Sequence, residues 1–292
     1  MNEYLLSVLL GIMEGLTEFL PVSSTAHLRI FEALAGIDLS NGYWKMYSIV
    51  IQLGAILCLP IYFWSRILRF FASFPRGERG DRTALTHPLT LVMMAFVCTA
   101  GPAFLLTKVI GKHLESMIII GCSLLIGGIV MWIVDAIYGQ PRNNRPFRTE
   151  HMEDMSAAQA IWIGLCQIFS AVFPGTSRSM STIAAGQIAG MSRASALEFS
   201  FFLSIPTMVA ATGYDLLRTL HGKHGGEPLG RMPVNGHEWI VLIIGFVVSF
   251  FVAWAVVAWF MNWVRSRGFA PFAVYRIAVG IAVLVWAMRG HL

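Results

Sequence analysis

Charge is scarce in this chain: of 292 residues only 13% are charged, against 56% hydrophobic, and the mean hydropathy is +0.66. An ordinary soluble domain carries about a quarter of its residues as charges, so this composition excludes that class and leaves an integral membrane protein. Cysteine is almost as sparse. Cys58, Cys98, Cys122 and Cys166 stand singly inside apolar runs without C-x-x-C spacing, which argues against a disulfide framework or a zinc site and reads as small packing residues. A basic leader is also lacking. Glu3, Glu14 and Glu18 stand where a cleavable signal would carry positive charge, so the first segment is expected to stay in the mature protein. The net charge of +5 lies largely on arginines between apolar runs, which speaks to topology and anionic headgroups rather than nucleic acid.

What is present is a series of runs near the ~20 residues that a spanning helix needs. They cover about Tyr43 to Trp64, Leu89 to Ile110, Met117 to Tyr138, Ala194 to Leu217, His237 to Val264 and Phe272 to Met288. Two further apolar stretches, Tyr4 to Leu34 and Ala157 to Gly190, are interrupted by proline and by polar runs. Each reads as two half-helices, a re-entrant hairpin, because broken backbone is tolerated at membrane depth only where protein or a cavity satisfies it. The expected fold is all-α integral membrane, six transmembrane helices plus two re-entrant helical hairpins.

Placing Pro21 over Pro174 aligns Gly11 with Gly164, Glu14 with Gln167, Thr17 with Ser170 and Ser24 with Ser177. Three candidate spans follow each copy, and an odd number of crossings inverts the second copy relative to the first. A single membrane domain over 1–292 is therefore expected, with repeat 1 at about 1–138, a linker at 139–156 and repeat 2 at about 157–292. Under this reading the hairpins enter from opposite faces and meet near the midplane. Arginines cluster at 66–82, at 142–148 and at 265–267, which assigns those loops to the cytoplasm, the first hairpin to the outer face and the 218–236 loop to the outside.

The polar runs inside the hairpins carry the chemistry. An ionisable side chain at bilayer depth costs roughly 3 kcal/mol even on insertion scales, so several together need a use. Glu14 and Glu18 are four residues apart and share one helical face, suited to holding one cation or flanking one reacting group. Two glutamates on a wetted helix is the bland alternative; Leu9, Leu10, Ile12, Met13, Leu16 and Phe19 around them speak against it. After Pro21, Ser23 is placed as an N-cap, with Ser24 and His27 one turn apart on the same side. In the second hairpin Pro174-Gly175 breaks the chain, and Ser177, Arg178, Ser181 and Thr182 open a new helix whose N–H groups and dipole favour an anion. Arg178 among hydroxyls makes a better phosphate cradle than a lipid contact. Gln52 and Glu198, each inside a span, are read either as lining the same cavity, Glu198 as an ion-pair partner of Arg178, or as plain helix-packing contacts.

On these residues the chain resembles the undecaprenyl-diphosphate phosphatase family of the bacitracin-resistance type. The motifs are EGLTEFLPVSSTAH at 14–27, QLGAIL at 52–57, PGTSRSMST at 174–182 and EFSFFLSIP at 198–206. The resemblance implies an inner-membrane enzyme that removes the terminal phosphate of undecaprenyl diphosphate at the outer, periplasmic face and returns the lipid carrier to peptidoglycan synthesis. It implies an effect on bacitracin sensitivity, a divalent metal (magnesium or calcium), membrane lipids as surroundings and a homodimer as one allowed arrangement. Carried over by position, Ser24, His27, Glu18, Glu14 and Arg178 are the catalytic candidates. Ser23, Thr25, Ser177, Thr182 and Arg178 are the substrate-binding ones, and Glu14 and Glu18 the metal ligands. Ala26 stands where glycine is commoner and Met180-Ser181 replaces a Gly-Ala pair, adding bulk beside the cradle. The main rival is a transporter of a phosphorylated polyprenyl lipid, since broken helices in inverted repeats are also transporter architecture. Transport, however, has no need of a Ser/His pair beside a carboxylate. A phosphatase of the phosphatidic acid type would show a second histidine after Ser177-Arg178, and none occurs before Gly190. An intramembrane serine protease ranks last, having no use for an arginine clamp.

Overall fold

The computed structural model describes residues 2–37, 42–106, 116–141, 147–221 and 230–289. The expected end of the second run at Ile110, the arginines at 142 and 145 and residues 222–229 of the 218–236 loop lie outside the described residues. The regular elements are helices: α1 Glu3–Thr17, α2 Ser24–Ala35, α3 Gly42–Tyr62, α4 Trp64–Ser73, α5 Pro88–Leu105, α6 Met117–Tyr138, α7 Ala157–Val172, α8 Arg178–Ile188, α9 Arg193–His221, α10 Gly236–Arg267 and α11 Ala270–Met288. Among the described residues six of these (α3, α5, α6, α9, α10 and α11) are long and apolar enough to cross a membrane. They coincide with the six runs read from the sequence. The interrupted stretches are each two helices about a break: α1 and α2 around Glu18 to Ser23, α7 and α8 around Phe173 to Ser177. At about 1.5 Å per residue none of these four reaches the ~30 Å of a hydrocarbon core.

One element was not expected. The arginine-rich segment after α3, read as a loop, begins with α4, where Trp64, Leu68 and Phe71 are exposed at helical spacing. Arg66 and Arg69, which suggested a loop, lie on this amphipathic helix, a form suited to a membrane interface.

The chain divides into two compact units. Unit 1 comprises Met1–Phe19, Ser24–Tyr62 and Ser204–Ala258. Its core is Leu6, Leu10, Tyr47, Ile51 and Val241. Glycines set the helix spacing here: a Cβ on Gly11 would meet the Gly245 carbonyl at 2.8 Å, and one on Gly15 would meet Val252 at 2.7 Å. Hydroxyls then bond across the close approach. Ser7 Oγ donates to the Val241 carbonyl at 2.6 Å and Ser249 Oγ to the Ile51 carbonyl at 2.7 Å, as expected where apolar lipid gives helices no hydrophobic reason to associate.

Unit 2 comprises Leu20–Ser23, Phe63–Leu203 and Trp259–Leu292. Here α6 packs on α11, α5 on α7, and α8 on both α6 and α7. The α6–α11 approach runs over Gly121, Gly128 and Gly280; a Cβ on Gly280 would lie 2.7 Å from the Leu125 nitrogen. Thr99 on α5 donates to the Gly164 carbonyl of α7 at 2.7 Å. His87 caps α5, its Nδ1 accepting from the Leu89 N–H at 3.3 Å, and burial lowers the pKa of its imidazole.

The strongest fixed point of unit 2 is Asp135 near the end of α6. Its carboxylate, buried, accepts from Arg193 Nε at 2.7 Å and Nη2 at 2.9 Å, from Gln187 Nε2 at 3.0 Å and from the Phe269 N–H at 3.1 Å. That ties α6 to the C-terminal end of α8, the first turn of α9 and the α10–α11 junction. Removing one member strands the other charge, which costs about 3–5 kcal/mol. Thermal unfolding in detergent should therefore show a lowered midpoint for Asp135→Ala, with part of the loss recovered in Asp135→Ala/Arg193→Met. A midpoint equal to wild type in the single variant would show that the pair contributes nothing.

Candidate active site

The first break follows from its sequence. α1 ends at Thr17, whose hydroxyl turns back to the Met13 carbonyl at 2.7 Å, and Pro21 cannot donate to a continuing helix. The chain restarts at Ser24. In unit 1, Glu14 and Glu18 at the end of α1 and Ser24 and His27 at the start of α2 are all buried. Ser24 Oγ donates to Glu18 Oε2 at 2.5 Å. This is the short distance of a charge-assisted hydroxyl–carboxylate bond. Glu14 is 0% exposed, and neither of its oxygens accepts a hydrogen bond from a described residue. Thr25 is exposed, because it lies about 100° round the helix from Ser24 while His27 returns to the same side.

Sequence reasoning passed over a further buried carboxylate, Glu32 on α2, which pairs with Arg29 at 3.3 Å and accepts from Ser48 Oγ of α3 at 3.0 Å. It anchors α2 onto α3. A glutamate in the amphipathic second half of the hairpin, outside the polar motif, gave no distinctive signal.

The second break lies in unit 2. Gly175 has φ +92°, and a Cβ there would meet the Ile120 carbonyl at 2.8 Å, so only glycine fits. Ser177 caps α8, its Oγ accepting from the Met180 N–H at 3.3 Å. Arg178, half-buried, opens the helix. Thr182 is buried with its hydroxyl back-bonded to the Arg178 carbonyl at 3.0 Å and 2.7 Å from Ser200 Oγ. These contacts tie the first turn of α8 to the EFSFFLSIP segment of α9. Ser179, not singled out from the sequence, donates to the Leu20 carbonyl at 3.0 Å and lies 3.0 Å from Ser177 Oγ. The turn Leu20–Ser23 and the helix start at 177–182 belong to this one unit, so Ser23 shares it with Ser177 and Arg178.

Among the described residues Ser23 and Ser177 are the non-glycine positions with positive φ, at 75° and 70°. Each immediately precedes a helix. The alignment had set Ser24 over Ser177; the backbone makes Ser23 the counterpart, a one-residue shift at the restart. Glu198 ion-pairs with Arg66 at 2.7 Å, and the other arm of Arg66 holds Glu153 at 2.5 Å. That departs from the expected pairing with Arg178. The reason is local: α4 presents Arg66 to α9 at the edge of the unit, a neighbour hidden while this segment was read as a loop.

Arg276 is a further residue that sequence reasoning missed. It is fully buried in the middle of α11, and its guanidinium donates to the backbone carbonyls of Pro21, Ser123, Gly175 and Thr176. A lone arginine in an apolar run was the available signal.

Among the described residues no group of three or more His, Cys, Asp and Glu side chains converges on a metal-sized point. Glu14 and Glu18 nevertheless form a pair of hard oxygen donors, one of them without a donor of its own, and two carboxylates completed by water and phosphate oxygens are a sufficient set for magnesium or calcium.

Comparison with known proteins covers nearly the whole chain. A curated protein of Koribacter versatilis (strain Ellin345), named undecaprenyl-diphosphatase, is 70% identical over 290 residues, 99% of this chain and 100% of that protein. Proteins of the same name from Rhizobium etli (strain CIAT 652) and Caldanaerobacter subterraneus subsp. tengcongensis are 39% and 37% identical, over 99% and 94% of this chain and 98% and 93% of their own. The family profile described as bacitracin resistance protein BacA matches residues 7–282. The signature segments at 14–27 and 174–182 fall inside that match, and the chain belongs to the BacA family.

Proposed function

We propose that this chain hydrolyses undecaprenyl diphosphate to undecaprenyl phosphate and inorganic phosphate. The observation that carries the reading is the buried Ser24 hydroxyl hydrogen-bonded to Glu18 at 2.5 Å, beside the donorless carboxylate of Glu14. A hydroxyl whose proton already has an acceptor is an activated nucleophile. The names of the relatives point to the same substrate. Ser24 Oγ attacks the terminal phosphorus, the bond from that phosphorus to the bridging oxygen breaks, and undecaprenyl phosphate leaves. Water then cleaves the phosphoserine, with His27, one turn along α2, as acid and base. The proton of Ser24 passes to His27 or, as the 2.5 Å contact favours, to the Glu18 carboxylate. In unit 2, Arg178 and the N–H groups at the start of α8 are suited to bind phosphate oxygens. In unit 1, Glu14 and Glu18 would hold a divalent cation, which would supply charge neutralisation when bound.

The two broken segments act as re-entrant hairpins of an inverted repeat, and the arginine-rich segments, including α4 and the stretch after it to Arg82, face the cytoplasm. This sets the site toward the outer face of the bacterial inner membrane. There, hydrolysis returns lipid carrier to peptidoglycan synthesis and lowers the diphosphate that bacitracin sequesters. The decisive assay is phosphate release from undecaprenyl diphosphate by purified protein with magnesium or calcium; movement of lipid without release would favour the transporter instead.

Three variants test the roles. Glu18→Gln should lose at least about a hundredfold in turnover while expressing and extracting normally; near-wild-type turnover at saturating metal would remove Glu18 from the chemistry. Arg178→Lys should be nearly as damaging as Arg178→Ala, because lysine keeps the charge and loses the two-pronged grip. Turnover within a few-fold of wild type would reduce Arg178 to general electrostatics. Ser24→Ala should be inactive and His27→Ala slow but partly restored by imidazole, whereas a trapped phosphohistidine at His27 would exchange their assignments.

A further inference from the structure

The guanidinium of Arg276 reaches the turn before Ser23 and the turn before Ser177, both in unit 2. Nη1 donates to the Pro21 carbonyl at 3.1 Å, and Nη2 to the carbonyls of Ser123 at 3.1 Å, Gly175 at 3.0 Å and Thr176 at 3.0 Å. Pro21 lies two residues before Ser23, and Gly175 and Thr176 directly precede Ser177. Among the described residues these serines are the two non-glycine positions held at positive φ, a conformation that costs about 1–3 kcal/mol and persists only where the surroundings over-determine it. Its surroundings are built for this. A Cβ on Gly127 would land on Nη2, and one on Gly128 would meet the Ala273 carbonyl at 2.9 Å and Arg276 Cβ at 3.1 Å. The paired glycines of α6 thus open the slot in which the side chain lies.

A buried guanidinium is costly when carbonyls alone satisfy it, and an apolar residue with a tighter α6–α11 seam would pack more cheaply. No ion pair joins Arg276 to a carboxylate among the described residues. What the arginine provides that packing does not is a single planar group that ties two turns of distant sequence to each other and to α6. We infer that Arg276 is a positioning residue for phosphate recognition: it fixes the Leu20–Ser23 and Phe173–Ser177 turns relative to one another, and through them the hydroxyls of Ser23, Ser177 and Ser179 and the first turn of α8 that carries Arg178. It touches no substrate, and the inference rests on the phosphatase reading for its consequence and on geometry alone for its structural part.

The test displaces the guanidinium without altering it. Gly127→Ala puts a methyl group on Nη2, whereas Gly121→Ala strains the same α6–α11 seam, where its Cβ would meet Leu284 at 2.8 Å, and leaves Arg276 untouched. Both variants and Arg276→Lys are purified as full-length chains. Hydrogen exchange should quicken at Leu20, Val22, Ser23 and Thr176 to Ser179 in Gly127→Ala and Arg276→Lys but not in Gly121→Ala. With undecaprenyl diphosphate, kcat should fall by about a hundredfold in the first two, the scale of a 1 Å misplacement, while Gly121→Ala keeps wild-type kcat even if its unfolding midpoint drops. Equal exchange at the turns in Gly121→Ala and Gly127→Ala, or activity that merely follows the unfolding midpoint across all three, overturns the positioning role. A wild-type protein that releases no phosphate while the exchange pattern appears as stated would instead sink the phosphatase reading and leave the tie between the turns standing. If Arg276→Lys fails to fold, the two glycine variants still decide.

Discussion

A helix interrupted at membrane depth exposes peptide groups that lipid cannot satisfy, and each buried orphan costs about 1–3 kcal/mol. Most of unit 2 can be derived from that constraint. Pro21 and Pro174 end their helices, Gly175 turns the backbone, and the freed carbonyls need donors. Arg276 supplies several and Ser179 one. Arg276 in turn needs room, which Gly127 and Gly128 provide, and that same absence of side chains brings α6 against α11. Glycine pair, buried arginine and broken helix therefore form one dependency, and a side chain added at the first step propagates to the last.

The same accounting applies to charge. Glu14, Glu18 and Glu32 are all nearly or wholly buried in unit 1. Glu32 has Arg29 and Ser48, and Glu18 has Ser24, whereas Glu14 accepts nothing. A buried carboxylate left in that state is unfavourable unless a cation or a proton joins it. Among the described residues Glu14 is therefore the buried carboxylate with an open place for a cation or a proton. Ser24 donates to the neighbouring Glu18 carboxylate at 2.5 Å, and an ionised acceptor strengthens that bond.

Much of this was legible in the sequence because bilayer thickness leaves little freedom. Twenty apolar residues are a span almost by definition, and all six runs became helices of that kind. The breaks were legible because proline and polar runs have no other use there, and the Ser24–His27 register followed from helical periodicity. That periodicity also set Thr25 on the outer side, although motif membership had grouped it with the binding residues. What stayed hidden were contacts between side chains far apart in sequence and contacts to backbone. Arg66 with Glu198 is of the first kind. Arg276 is of the second: its partners are carbonyls, which every residue has, so no motif marks them. The helix α4 was missed because its arginines were counted for topology before their spacing against Trp64, Leu68 and Phe71 was weighed.

The two broken segments show how one backbone device is given two chemistries. Glu14 and Gln167 occupy the same register and are equally buried, at 0% and 1% exposure. They differ by a single charge. A carboxylate at Gln167 would stand in the segment whose helix start carries Ser177, Arg178 and Ser179, and would oppose the anion that such a start attracts. Glutamine keeps the shape and the polarity without that penalty. The first segment instead has a carboxylate at this position, in the same buried group as Glu18 and Ser24. The two segments thus differ in charge at a buried position, where charge has its largest effect.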